Sequence, residues 1–519
     1  MNSLPPSSIR RLLLGAVLAL GLAPFPSLAH VGSPTVFFQG QAGPYNTQVI
    51  IRPAEVIPGL ADISVRVDQP GVDQVTALPI KWNAGPKGAP PPDVARPVPG
   101  ETNLYSAQLW FMEAGAHSIR IEITGRAGLG AVLVPVDAVA TRVLTMPKGL
   151  GTILVVLGLA LALLLLSIIG AAIRESVLDP GTEIPARRRV LARVAMASSA
   201  VILIALLWAG RQWWKSDAAD YKNNRLYRPL EAHSLVRTEK GRRTLRLLIP
   251  GFAAAAPLVP DHGKLMHLFL VREPGLDAFA HLHPIKQDKR TFDAALPELP
   301  GGMYQVYADV TYETGFSDTL TNKIQIPESA SPQPAISEPR TTDPDDSWRV
   351  VSSRDSSPAR HEFQLAPNCT MTWRAPETIR INQPLTLRFT VRDAKGQPIP
   401  LDPYLGMRGH LALRRDDGAV FTHLHPGGTA SMASMQLSTL RSEDKLPLRA
   451  AFGADDPLCR LPPMAPGEQP WLRGIDGPDT STVSFPYAFP KPGKYRMWVQ
   501  VKVKGAILTG VYDLEATGT

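Results

Sequence analysis

A chain of 519 residues is too long for one hydrophobic core and calls for several units. Its 51 prolines and 41 glycines favour short strands and turns over long helical bundles. The net charge of +8 does not describe a nucleic-acid surface: Arg10 and Arg11 fall in an export signal, further arginines crowd beside two apolar runs, and no basic stripe with interleaved aromatics remains.

Residues 1–29 have the three parts of a cleavable signal peptide. Arg10-Arg11 start it, Leu12 to Leu22 is an apolar run too short to span a bilayer, and Ser27-Leu28-Ala29 supplies small residues for cleavage. The stretch around Arg10-Arg11 resembles a twin-arginine signal. Cleavage after Ala29 would make His30 the mature N-terminus, where an α-amine and an imidazole together chelate a metal. Residues 30–147 then read as a small β-sandwich, with period-two alternation in Ile63 to Val67 and Ser118 to Ile123 and Gly/Pro clusters between strands.

Two apolar segments, 149–173 and 194–214, the second uncharged from Val194 to Gly210, are long enough to cross roughly 30 Å of hydrocarbon, and Trp208, with Trp213 and Trp214 after Arg211, stands where indoles favour the interface. Residues 174–193 between them hold Arg174, Arg187, Arg188, Arg189 and Arg193, so the positive-inside rule makes that segment cytoplasmic. Both flanking regions are then outside, in agreement with the signal peptide. The expected location is a bacterial inner membrane, with the N- and C-terminal domains outside the cytoplasm and the lipid bilayer as one partner.

Residues 215–327 again read as a sandwich, 328–347 as a Pro-, Ser- and acid-rich linker, and 348–519 as a third sandwich carrying a weakly patterned insertion over 427–479. The last two units repeat each other. Pro257-Leu258-Val259-Pro260 aligns with Pro400-Leu401-Asp402-Pro403, His267 meets His410, and Phe279-Ala280-His281-Leu282-His283-Pro284 meets Phe421-Thr422-His423-Leu424-His425-Pro426. The fold class expected is mainly β: three immunoglobulin-like sandwiches, with two transmembrane helices between the first and second.

Turn chemistry places the repeated histidines. A hairpin closing at Asp417-Gly418 sets His410 opposite His425; one closing at the longer turn Pro274-Gly275-Leu276 sets His267 opposite His283. By parity His410, His423 and His425 share one face, while Leu411, Leu413 and Leu424 take the other. Opposed Cβ atoms lie about 5 Å apart, so three imidazoles on this grid can converge on one ion. Alternatively, such pairs hydrogen-bond at a surface or pin a turn. Two sets of metal ligands are expected, one per domain: His267, His281 and His283; His410, His423 and His425. His262 is an extra candidate without a counterpart, since Leu405 stands in its place. Imidazole suits copper or zinc, and Met266, Met407, Met432 and Met435 nearby tilt the choice to copper. Cys369 and Cys459 form either a disulfide outside the cytoplasm or two buried thiols.

Through Leu109 to Met112 and Gly115 to Ile119 the first domain resembles the YtkA-like or FixH-like envelope sandwiches, which implies a sandwich beside a membrane anchor. An N-terminal His30 with His117 in the same domain resembles copper proteins of the CopC type, although Gly115 stands where that family has Asp; His117 also shares parity with Ile119, Ile121 and Ile123, as a core residue would. The His-Leu-His-Pro units are similar to domains of bacterial envelope metal-handling proteins. The function expected is binding or handling of a transition metal, copper before zinc, without catalysis. The rival is an assembly scaffold that docks partner envelope proteins.

Overall fold

The computed structural model describes residues 35–179, 181–239, 242–328, 343–352, 361–446 and 479–518. It is mainly β, with several sheet domains and two long apolar helices between the first and second β regions. The signal peptide, His30, Cys459 and most of the 328–347 linker lie outside the described residues. Cys369 is buried and unbridged.

In the first domain, eight strands from Val36–Ala42 to Gly128–Ala138 form one sheet curled round a core that includes Val49, Ile63, Ile121 and Val134. Strict alternation produces this: in Gly59–Val67 every second residue is buried. Helix α1, Lys148–Glu175, and helix α2, Ala186–Asp220, follow and pack on each other, the Met196 side chain filling the space beside Gly170. Both are long and apolar enough to cross a membrane. The arginines expected in a loop occupy the adjoining ends of these helices, Arg174 in the last turn of α1 and Arg187 to Arg189 in the first turn of α2. Where the chain re-emerges, the Tyr227 N–H donates to the Ala140 carbonyl at 2.8 Å, so the first and second domains meet beside the helices.

The second domain stacks a four-stranded sheet on a six-stranded one, and the third a four-stranded sheet on a five-stranded one. The hairpins close as the turns dictate. Leu268 pairs with Leu282 and Leu411 with Leu424, the registers that put His267 across from His283 and His410 across from His425. The leucine faces fill the two domain cores. Strand Ser347–Val350 does not join the third domain: it pairs with Ala278–Leu282 in the second domain's sheet. The insertion begins with helix α3, Met432–Ser442, capped by Ser431, whose hydroxyl accepts from the Ser434 N–H. Met432 and Met435 enter the first domain's core, and Ala433 and Leu437 pack on Val259.

The histidine faces of the second and third domains pack against each other. Phe269, Val271, Phe279 and Tyr307 from one meet Ala412, Phe421 and Trp498 from the other in a shared buried cluster. The contact has approximate two-fold symmetry. Tyr307 stacks on Phe421 with ring centroids 3.8 Å apart, and Trp498 stacks on Phe279 at 4.8 Å. These stacks are reciprocal, because each joins the same two positions of the repeat. Arg414, buried in the same seam, donates to the Tyr307 hydroxyl at 2.8 Å and pairs with Glu273. Stacked pairs add about 0.5–1.5 kcal/mol each beyond area burial. Trp498→Ala is expected to destabilise the protein by about 3–5 kcal/mol, as for a fully buried large aromatic. Denaturant unfolding of the whole chain measures this, and a cost under about 1 kcal/mol would contradict the packing of the two faces.

Candidate metal centre

The two expected histidine sets are not separate. The packing of the two faces brings His262, His267, His281, His283, His410, His423 and His425 into one buried cluster. Ring centroids within a triad are 4.4 Å apart for His423–His425 and 5.3 Å for His267–His281. Across the triads, His267 and His423 are also 5.3 Å apart, and His281 and His410 6.3 Å. Within each triad, and within a third group of Asp261, His262 and His425, one ligand atom per residue lies within 4.8 Å of the others.

Each ring is oriented by a partner on one nitrogen. His267 Nε2 lies 3.2 Å from the Asp261 carbonyl, and in the repeat His410 Nε2 lies 3.2 Å from the Tyr404 carbonyl. A carbonyl only accepts, so both Nε2 atoms carry the proton and both Nδ1 atoms present a lone pair. His281 Nδ1 donates to Gln500 Oε1 at 2.9 Å, and His423 Nδ1 stands 3.4 Å from Asp309 Oδ2. The Nε2 atom of His281 is therefore bare as well. His283 Nδ1 donates to Asp346 Oδ1 at 3.0 Å, and His425 Nδ1 to the Ala430 carbonyl at 3.4 Å. The remaining Nε2 atoms of His283, His425 and His262 are buried without a partner.

Two consequences follow. His267 Nδ1 and His281 Nε2 face each other at 3.1 Å, as do His410 Nδ1 and His423 Nε2. With the other nitrogens protonated, each contact sets lone pair against lone pair and is repulsive unless a cation lies between. Two nitrogens about 2 Å from a tetrahedral ion are themselves about 3.3 Å apart. Each triad thus presents three converging lone pairs at a ligand spacing, and their orientation is set by oxygens behind the rings, as in histidine metal sites generally.

Asp309 and Gln500 are the residues that sequence reasoning missed here. They pair in register with His267 and His410 respectively, yet each reaches across to the opposite domain's central histidine. Asp346 was missed too, hidden in the acidic end of the expected linker; beside it, Lys264 binds Asp343 at 2.7 Å and Asp345 at 3.1 Å. His117, by contrast, stands apart. Its ring packs on Phe111 at 5.0 Å and its Nδ1 meets the Gly115 carbonyl, and it enters no ligand group among the described residues. The methionines do not join either: Met266 lies in the second domain's core, and Met407, Met432 and Met435 in the first domain's.

Comparison with known proteins narrows this little. A family described as "Domain of unknown function (DUF8832)" matches residues 366–445. No curated protein matches the sequence. Among solved structures, the D1–D4 ectodomain fragment of ICAM-5 aligns at 9% identity over 89% of this chain and 74% of its own, with a TM-score of 0.14. A putative membrane anchored protein from Corynebacterium diphtheriae aligns at 9% identity over 93% and 97%, with a TM-score of 0.13. Latent PorU from Porphyromonas gingivalis aligns at 7% over 93% and 34%, with a TM-score of 0.14.

Burial holds the rings of His262, His267, His281, His410, His423 and His425 below the ordinary imidazole value of 6.5, which keeps them neutral and able to ligate. A group with a lowered folded pKa costs stability as pH falls through its unfolded value, because the unfolded chain then takes up more protons. Each buried ring therefore withdraws support from the metal-free protein below about pH 6.5. The stability gap between wild type and His281→Gln should narrow as pH falls from about 7.5 to about 5. Denaturant midpoints across that range provide the check; a widening gap would contradict a neutral buried His281.

Proposed function

We propose that this is a membrane-anchored bacterial envelope protein that binds transition-metal ions in the paired histidine triads between its second and third domains. The observation that supports this most directly is the set of buried, partnerless Nε2 atoms on His262, His283 and His425, together with the two facing nitrogen pairs at 3.1 Å. Leaving polar atoms buried and unpaired costs about 1–3 kcal/mol each, and ions in the triads would relieve those of His283 and His425 and the two facing pairs. The arrangement suits two ions, one per triad, enclosed by a single interface.

Copper is the first choice and zinc the second. The methionines that favoured copper lie in cores, so the preference now rests on the imidazoles alone. Among divalent ions an all-imidazole set binds Cu(II) most tightly in the Irving–Williams order. Holding or passing on the ion is favoured over turnover. The groups beside the triads, Asp346, Asp309 and Gln500, are each already engaged in orienting a ring. A chain with its signal peptide at residues 1–29 and its arginine-rich helix ends in the cytoplasm would carry the triads on the outer side of the inner membrane.

The whole chain is the right material for the test, because cutting at residue 348 would divide the strand Ser347–Val350 that completes the second domain. Metal-free protein in lipid nanodiscs, loaded with Cu(II) or Zn(II) and analysed by elemental mass spectrometry, is expected to hold two ions per chain. His410→Ala with His425→Ala should remove one of them. Binding no tighter than about 0.1 mM, or roughly −5.5 kcal/mol, would overturn the reading and leave a docking scaffold.

A further inference from the structure

A cavity of about 170 Å³ lies where the three β-domains meet. One end touches Val139 and Tyr227, which flank the helix pair; the other reaches His267, His423 and His425. Its walls carry four carboxyl groups, Asp137 from the first domain and Asp261, Asp309 and Asp318 from the second. Each has a polar contact. Asp137 accepts from the Ser317 N–H at 3.1 Å, Asp309 from the Thr319 hydroxyl at 2.6 Å, Asp318 from the Tyr227 hydroxyl, and Asp261 from the Ala433 N–H at 2.9 Å.

None of these contacts supplies a countercharge. Lys264 is the one lysine or arginine on the wall among the described residues, and it is bound to Asp343 and Asp345. Burial pushes Asp137 up to about 8. A second and independent feature points the same way: His425, 3% exposed, lines this cavity, and its Nε2 is buried without a partner. A polar chamber with several acids, no free cation and an unused imidazole nitrogen on its inner wall is chemically incomplete without a positive ion.

We propose that this chamber is the entry route of the metal centre, in which a partly hydrated metal cation is held by Asp137 and Asp318 before it passes to His423 and His425. The inference rests on the metal-binding reading and adds a role for the first domain, whose Asp137 no single sandwich of the repeat could supply. On arrival the cation takes the place of the carboxyl protons, which leave to solvent; as it moves onto the neutral imidazoles, Asp137 and Asp318 take protons back from solvent, so the chamber returns to its starting charge. As these carboxyls lose their protons the walls become negative, and walls of one sign raise the on-rate of an opposite charge by about 10–10³-fold.

The test uses the full chain in nanodiscs and follows Cu(II) or Zn(II) arriving from a coloured chelator by stopped flow. Asp137→Asn with Asp318→Asn should slow both loading and release by about tenfold or more, while the ions held at saturation remain two per chain. Asp137→Glu, which keeps the charge, should load at close to the wild-type rate. Unchanged rates in the double variant would overturn the route while leaving the histidine site standing. A fall in the number of ions held would overturn it differently, by making the aspartates final ligands. Wild-type protein that takes up no metal would remove both readings together.

Discussion

Imidazole is a poor group to bury in bulk, and this protein buries seven of them against one another. A buried ring is at rest only when both its nitrogens find partners. The fold meets half of that demand with backbone carbonyls, Gln500, Asp309 and Asp346, each holding one nitrogen of a ring. The other half is left directed inward. The stacked aromatics, the shared seam and the helix of the insertion surround a centre in which the Nε2 atoms of His262, His283 and His425 are buried without a hydrogen-bond partner.

The repeat explains how such a centre arises. A sandwich that carries histidines on one sheet face has an uncovered polar patch, and a second copy of the same patch can cover it. The two-fold arrangement of Tyr307 on Phe421 and Trp498 on Phe279 is the self-complementary contact expected when like packs on like. Strand Ser347–Val350, which precedes the third domain in the chain, is paired into the second domain's sheet. The first domain closes the third side. The Phe37 carbonyl accepts from the Thr429 N–H at 2.9 Å, and Gly428, with φ of 122°, lies so close to that carbonyl that any Cβ would collide with it.

Much of the local geometry was legible in the sequence. The Asp417-Gly418 turn and the one-residue-longer turn at Gly275 set both hairpin registers, and parity separated the leucine face from the histidine face. What parity could not say is that the histidine face is buried too. A signal for it was present: Phe279 and Phe421 sit on the histidine face, two residues before His281 and His423, and an exposed face would not repeat a phenylalanine there. His262 was undervalued because the repeat has Leu405 in its place, and an unmatched residue looks dispensable; both adopt positive φ in the same turn, and only one presents a ring. Asp346 and α3 lay in stretches whose composition reads as linker and insertion, and no pattern shorter than the tertiary contact reveals them.

The symmetry is broken where it matters chemically. Asp309 faces His423, and at the matching position Gln500 faces His281. His262 enters from one side, and nothing enters from the other. Two identical chains in a dimer would be bound to identical halves, each change made twice. A duplicated chain can alter one half at a time, and this one has put a carboxyl group behind one ring and an amide behind its twin. The two halves of the centre are therefore chemically unlike, and a symmetric pair of folds has acquired a direction.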